Sequence, residues 1–185
     1  MKRIIATLLA GLALFALVGC SSGKPAASAT PKDYTQILHD ARSDEDNEYN
    51  MIFTKGKDGK FTAQYGYSSD YDAGQLNDEI ENMLLPLLGL EEGSYTDFAA
   101  SVSAMMTQSY GVAIVKPAEG KTQEVVDAFD NYVLSQQQTM EHYLEDQYQI
   151  ASSARVTTVP TGEVILVCCE DSDTVLANIK AALAK

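Results

Sequence analysis

From Ile4 to Val18 the chain carries no charged residue, and the run closes on Leu17-Val18-Gly19-Cys20. That stretch decides which residues remain to build a fold. It follows a short positive start, Lys2 and Arg3. It is also too short for a comfortable membrane span, which takes about 20 apolar residues. Its length and flanks are those of a signal-peptide apolar region. The last four residues have lipobox form: leucine three places before the cleaved bond's far side, a small residue before it, cysteine after it. In that chemistry the Cys20 thiol takes a diacylglyceryl group, the bond after Gly19 is cut, and Cys20 becomes the N-terminus. Residues 1–19 are therefore expected to be removed as a lipoprotein signal peptide. Cys20 is expected to be lipidated and to hold the chain on the extracytoplasmic face of the cell membrane. Each buried acyl methylene contributes about 0.8 kcal/mol, and one chain alone holds only marginally, so more than one acyl chain is needed.

Residues 20–32 read as the lipidated cysteine and a flexible tether. Ser21 to Lys32 is serine, glycine, alanine, proline and threonine with two lysines, a linker composition. Twelve such residues reach at most about 40 Å extended and roughly 20 Å as a coil, so the folded part stays near the membrane. Removing Lys2 and Arg3 takes 13 basic residues to 11 against 26 acids, a formal charge of −15. So acidic a body lacks the basic footprint of a nucleic-acid binder and is repelled by an anionic lipid surface. The membrane is thus a partner through the Cys20 anchor alone, and nucleic acid is not expected as a partner.

Residues 33–185 are enough for one domain with its own core. Beyond Cys20 the cysteines are Cys168 and Cys169, adjacent in an apolar run. Neighbouring side chains on a strand point to opposite faces, so both are expected to be buried free thiols that pack as small hydrophobes. Without spaced cysteine pairs the domain is not a disulfide scaffold.

The periodicity predicts a helix from Asp33 to about Arg42, with Tyr34, Ile37, Leu38 and Ala41 at helical spacing. An acidic break follows at Ser43 to Glu48. Met51 to Thr54 and Lys60 to Tyr65 read as strands about the turn signal Lys57-Asp58-Gly59. Ser68 to Gly74 reads as loop, then Leu76 to Leu88 as a helix in which Pro86 conflicts with a regular interior. Phe98 to Met106 and Tyr110 to Lys116 form a predicted strand pair. A long helix is expected from Lys121 to about Asp146, its apolar stripe interrupted by Gln136 and Gln137. A second strand pair, Arg155 to Val159 and Glu163 to Cys169, precedes a last helix from Asp171 to Ala184. The C-terminal order β-β-α-β-β-α predicts an α+β fold: an antiparallel sheet with helices packed on one face.

Val102-Ser103-Ala104-Met105-Met106 followed by Tyr110 to Pro117 resembles the bacterial lipoproteins that carry the DUF4358 domain. So do Tyr143 to Tyr148, Gly162 to Val167 and the last helix, and together these cover about residues 84–183. The resemblance implies a lipid-anchored extracytoplasmic domain, of a kind common in Gram-positive anaerobes, with no catalytic motif to carry over.

Chemistry-bearing patterns are few. Asp44, Asp46 and Glu48 alternate as calcium ligands do, but the EF-hand positions for glycine and the closing acid hold Tyr49 and Lys55. Asp70, Asp72 and Gly74 make no better loop. His39 and His142 have no paired metal-ligand spacing, and Gly-x-Ser-x-Gly is absent. No metal and no cofactor are expected, and no enzyme activity. Tyr65, Tyr67 and Tyr71, with Tyr49 nearby, offer apolar area with hydroxyl handles, which suits a binding surface; packing of an edge hairpin is the other use. The expected function is non-enzymatic binding of a protein or small-molecule partner at the cell surface. An envelope hydrolase with dispersed acidic residues and a structural envelope component are the alternatives.

Overall fold

The computed structural model describes residues 32–185. The signal peptide, Cys20 and all of the tether but Lys32 lie outside the described residues. Among those described, no helix is long and apolar enough to cross a membrane.

Helix α1 (Tyr34–Ala41) starts on Asp33, whose side chain accepts from the Gln36 N–H at 3.0 Å, a standard N-cap that satisfies a free helix donor. The acidic segment expected as a break is instead a short helix, α2 (Asp44–Tyr49), capped by Ser43 through the Asp46 N–H. Its first turn holds Asp44, Glu45 and Asp46, where negative charge meets the positive end of the helix dipole. Strands β1 (Ile52–Lys55) and β2 (Phe61–Gln64) form the expected hairpin. The region expected as loop opens with a 3-10 segment, Gly66–Asp70.

Helix α3 (Ala73–Glu79) runs through a π-helical turn, Ile80–Leu84, into α4 (Leu85–Leu88). Pro86 explains that turn. It has no N–H for a regular bond, and the helix widens just before it, with the Leu85 N–H reaching back to Ile80 O. Gly89, at φ +68°, then stops the helix, and the Leu90 N–H returns to Leu85 O.

Strands β3 (Tyr95–Val102) and β4 (Gly111–Pro117) pair next. The long helix expected from Lys121 to about Asp146 ends earlier, as α5 (Thr122–Met140), and a further helix, α6 (Glu145–Ser152), follows it. Gln137 lies where α5 meets α6 and donates from Nε2 to Ala151 O at 3.2 Å. Strands β5 (Arg155–Thr158) and β6 (Val164–Cys168) and helix α7 (Ser172–Leu183) finish the chain. Asp171 precedes α7 with a left-handed backbone, φ +52°, and makes no side-chain cap.

The fold is α+β: six antiparallel strands in the order β2-β1-β3-β4-β6-β5. The helices do not lie on one face, as the sequence reading expected, but on both. Phe53, Phe98, Ala113, Val115, Val164 and Leu166 pack with Ile80, Leu84, Leu88, Phe129 and Tyr132 of the α3–α5 side. Ile52, Ala99, Val112, Ile114, Ile165 and Val167 pack with Leu38 of α1 and Val175, Ile179 and Leu183 of α7. The reason is in the central strands. Residues 111–115 of β4 and all of β6 are buried throughout, with no polar alternation, so both sheet faces must be covered.

Cys168 and Cys169 are free, buried and on opposite faces. Burial pushes each thiol up to about 12, leaving almost no reactive thiolate at neutral pH. The native protein is expected to resist alkylation at pH 8, to expose two thiols beyond Cys20 in denaturant, and to keep its mass on reduction. A mass gain of two hydrogens would reveal a disulfide; rapid native labelling would reveal an opening of β6.

Candidate functional site

The α1–α2 corner turns on a buried cation. Arg42 ends α1 at 7 % exposure, and each of its N–H groups has a neutral acceptor. Nε and Nη2 donate to Asn47 Oδ1 at 3.1 and 2.6 Å, and Nη2 also reaches Asn50 O at 3.2 Å. Nη1 donates to Ser101 Oγ at 2.7 Å and to Tyr110 Oη at 2.8 Å. Among the described residues no carboxylate forms an ion pair with it. Asn47 locks the corner further by donating from Nδ2 to His39 O at 2.9 Å.

This corner forms one wall of a cleft of about 560 Å³. The other walls are the loop between β3 and β4, the inner side of α6, and the segment from Cys169 into α7. Glu45, Asp46, Glu170 and Asp171 line it, and among its described lining residues Arg42 is the one basic side chain. Burial raises the Asp46 carboxyl pKa from its ordinary value, outweighing its bond with Ser43 and the attraction of Arg42. Two polar atoms at the loop are buried without a partner, Gln108 Oε1 and Ser109 Oγ. Ser109 is 1 % exposed, while its backbone N–H is fixed by Gln147 Oε1 at 2.8 Å. Buried polar atoms are nearly always hydrogen-bonded, and this unmatched pair sits on two residues that line the cleft.

The three tyrosines singled out from the sequence go separate ways. Tyr65 stacks on His39 of α1, ring centroids 4.1 Å apart, and is half-buried; its place is packing. Tyr67 is 52 % exposed, lines the cleft and faces Tyr49 of α2 at 6.1 Å. Tyr71 lies in a different shallow groove, with Gln75, Asp78 and Met83, where burial and then Glu79 and Asp70 raise its hydroxyl pKa. Gly66 sets this divergence. At φ +48° it packs so closely that a Cβ there would fall 2.6 Å from Asn50 C and Met51 N, so the chain turns tightly against the start of β1 and carries Tyr67 back beside α2.

Sequence reasoning missed Arg42, Ser101, Met105, Gln108, Ser109 and Tyr110. Arg42 had a signal: it follows Leu38 by four places, on the apolar stripe of α1, and is the only lysine or arginine between Asp33 and Lys55. The loop residues had none: the expected strands Phe98 to Met106 and Tyr110 to Lys116 leave three residues between them, whereas the connection runs from Ser103 to Tyr110.

Residues 68–169 match the DUF4358 domain, a domain of unknown function. Comparisons with curated proteins and with solved structures give no match. The matched span holds the β3–β4 loop, α6 and Cys169 side of the cleft; Arg42, Tyr49 and Tyr67 precede it. The match spans more than half of the chain, from the 3-10 segment to the end of β6, and the chain belongs to the DUF4358 domain family.

Proposed function

We propose that this chain is a lipid-anchored extracytoplasmic domain that binds a ligand or partner in the cleft and does not catalyse a reaction. The observation that carries the binding reading is the meeting of exposed Tyr67, Tyr49 and Met105 with the unpartnered Ser109 Oγ in one cavity. A volume of about 560 Å³ is in the range of small-molecule sites. The anchor reading rests on Leu17-Val18-Gly19-Cys20 after an apolar run. The geometry suits a tethered receptor. Lys32, where the tether joins, donates from Nζ to Leu183 O at the end of α7, while Asn178 Nδ2 reaches Ala41 O at 3.4 Å. Helices α1 and α7 are thus antiparallel, and the cleft opens about one α1 length, roughly 12 Å, from the tether's point of entry.

Two experiments test the two halves. Cys20→Ala is expected to yield unprocessed or released protein, and mass spectrometry of the native protein an acylated Cys20 at the N-terminus; any other mature N-terminus overturns the anchor. For the site, a mixed-charge fragment library is screened against full-length protein in mild detergent by ligand-observed NMR. Its hits are expected to weaken on Tyr67→Ala and on Met105→Ala. Hits indifferent to both put the site elsewhere, and turnover of a hit would replace binding with catalysis.

A further inference from the structure

Taking the cleft as a binding site, we infer that its ligand presents a primary alkylammonium group. Three independent features point the same way. The first is charge: the rim carries Glu45, Asp46, Glu170 and Asp171, while the single cation, Arg42, has all its N–H groups turned to protein acceptors. Low-dielectric walls focus such a field on an incoming cation. A carboxylate or phosphate ligand meets repulsion at the rim and no free guanidinium donor behind it.

The second is hydrogen bonding. Gln108 Oε1 is an acceptor and Ser109 Oγ can act as one, and both are buried and unpartnered. An ammonium group has N–H donors for both, with one left for a rim carboxylate. A quaternary ammonium has none and leaves both atoms unsatisfied. The third is shape and apolarity. Tyr49 and Tyr67 stand 6.1 Å apart at 52° and are about half exposed, and Met105 is 63 % exposed. They offer two ring faces and a pliable thioether to an alkyl stem. A bare metal ion fits poorly, since among the described residues no three histidine, cysteine, aspartate or glutamate side chains converge.

The shared chemistry has two sources, a lysine side chain on a peptide and a free diamine or polyamine. Full-length protein in mild detergent is titrated calorimetrically with Nα-acetyl-lysine amide, 1,5-diaminopentane, and the neutral isostere Nα-acetyl-norleucine amide. The amines are expected to bind and the isostere to bind at least about tenfold more weakly, the scale of a lost hydrogen bond to a charged group. Trimethylation of the amine should weaken binding by a similar factor. Ser109→Ala and Asp46→Asn are each expected to reduce amine affinity with little change in melting temperature. Raising the salt from about 50 to about 500 mM should weaken binding by shortening the screening length. Tighter binding of the lysine amide assigns the peptide source, and tighter binding of the diamine the free source; either supports the inference. If the neutral isostere, or a carboxylate fragment, binds as well as the amines and is lost on Tyr67→Ala, the cleft remains a binding site and the ammonium inference is overturned. If no amine binds at all, the inference is equally overturned, and the fragment screen decides separately whether the cleft binds anything.

Discussion

Arg42→Met is expected to lower unfolding free energy by about 2–4 kcal/mol, one of the two largest effects of any single change considered. The argument starts from what the side chain leaves behind. Asn47 Oδ1 and Asn50 O lose their donors outright, whereas the Ser101 and Tyr110 hydroxyls can bond each other. The bonds to those two acceptors are half-buried and the two to the hydroxyls are buried, and a hydrogen bond to a charged group contributes about 1.5–3 kcal/mol. Against this stands the desolvation of a cation with no described ion-pair partner, which methionine relieves. The first effect is expected to win because every N–H of Arg42 is engaged. Arg42→Lys keeps the charge but has three donors and no planar fork, so it should fall between wild type and Arg42→Met. Urea denaturation checks the order, with comparison of midpoints valid if the slope is unchanged. Wild-type stability in Arg42→Met would mean that desolvation cancels the whole network.

The parts of the fold that were legible in the sequence are those with a local pattern. The hairpin about Lys57-Asp58-Gly59, the apolar runs of β4 and β6, and the stripe Val175, Ile179, Leu183 on α7 all lie where periodicity and turn signals put them. The same apolar runs also held the evidence for a sheet covered on both faces, since a one-sided strand alternates and these do not. The end of α5 had only an indirect signal, the interruption of its apolar stripe at Gln136 and Gln137. Glu141 to Leu144 contain neither glycine nor proline, and across the break Gln137 Nε2 donates to Ala151 O of α6. The α2 helix was hidden because its six residues have no apolar stripe and no buried residue; only the Ser43 cap announced it. Of the candidate contact residues, Tyr67 alone reaches the cleft. Spacing cannot separate it from Tyr65 and Tyr71, because their paths diverge at a left-handed turn, with Tyr65 at φ +65° and Gly66 at φ +48°.

That turn carries the second large effect: Gly66→Ala is expected to destabilise the domain by about 2–4 kcal/mol. Two costs add. A left-handed backbone strains any side chain with a Cβ by about 1–2 kcal/mol, and forcing an extra carbon into packed atoms adds about 1–3 kcal/mol. Here the obstructing atoms are backbone, Asn50 C and Met51 N at 2.6 Å and Asn50 N at 2.9 Å, so no side-chain rotation can relieve the contact. Gly59→Ala is the control, because its φ is +81° but nothing lies within 4 Å of the added carbon. It should show the backbone cost alone. The difference between the two variants in urea denaturation therefore isolates the steric term. The fit between the 3-10 segment and the start of β1 also positions Tyr67 beside Tyr49. Gly66→Ala should consequently weaken amine binding at a temperature where the variant is still folded, while Gly59→Ala leaves it unchanged. Equal stability losses in the two variants would show that the Asn50–Met51 backbone yields, and unchanged binding in Gly66→Ala would show that Tyr67 holds its place without this turn.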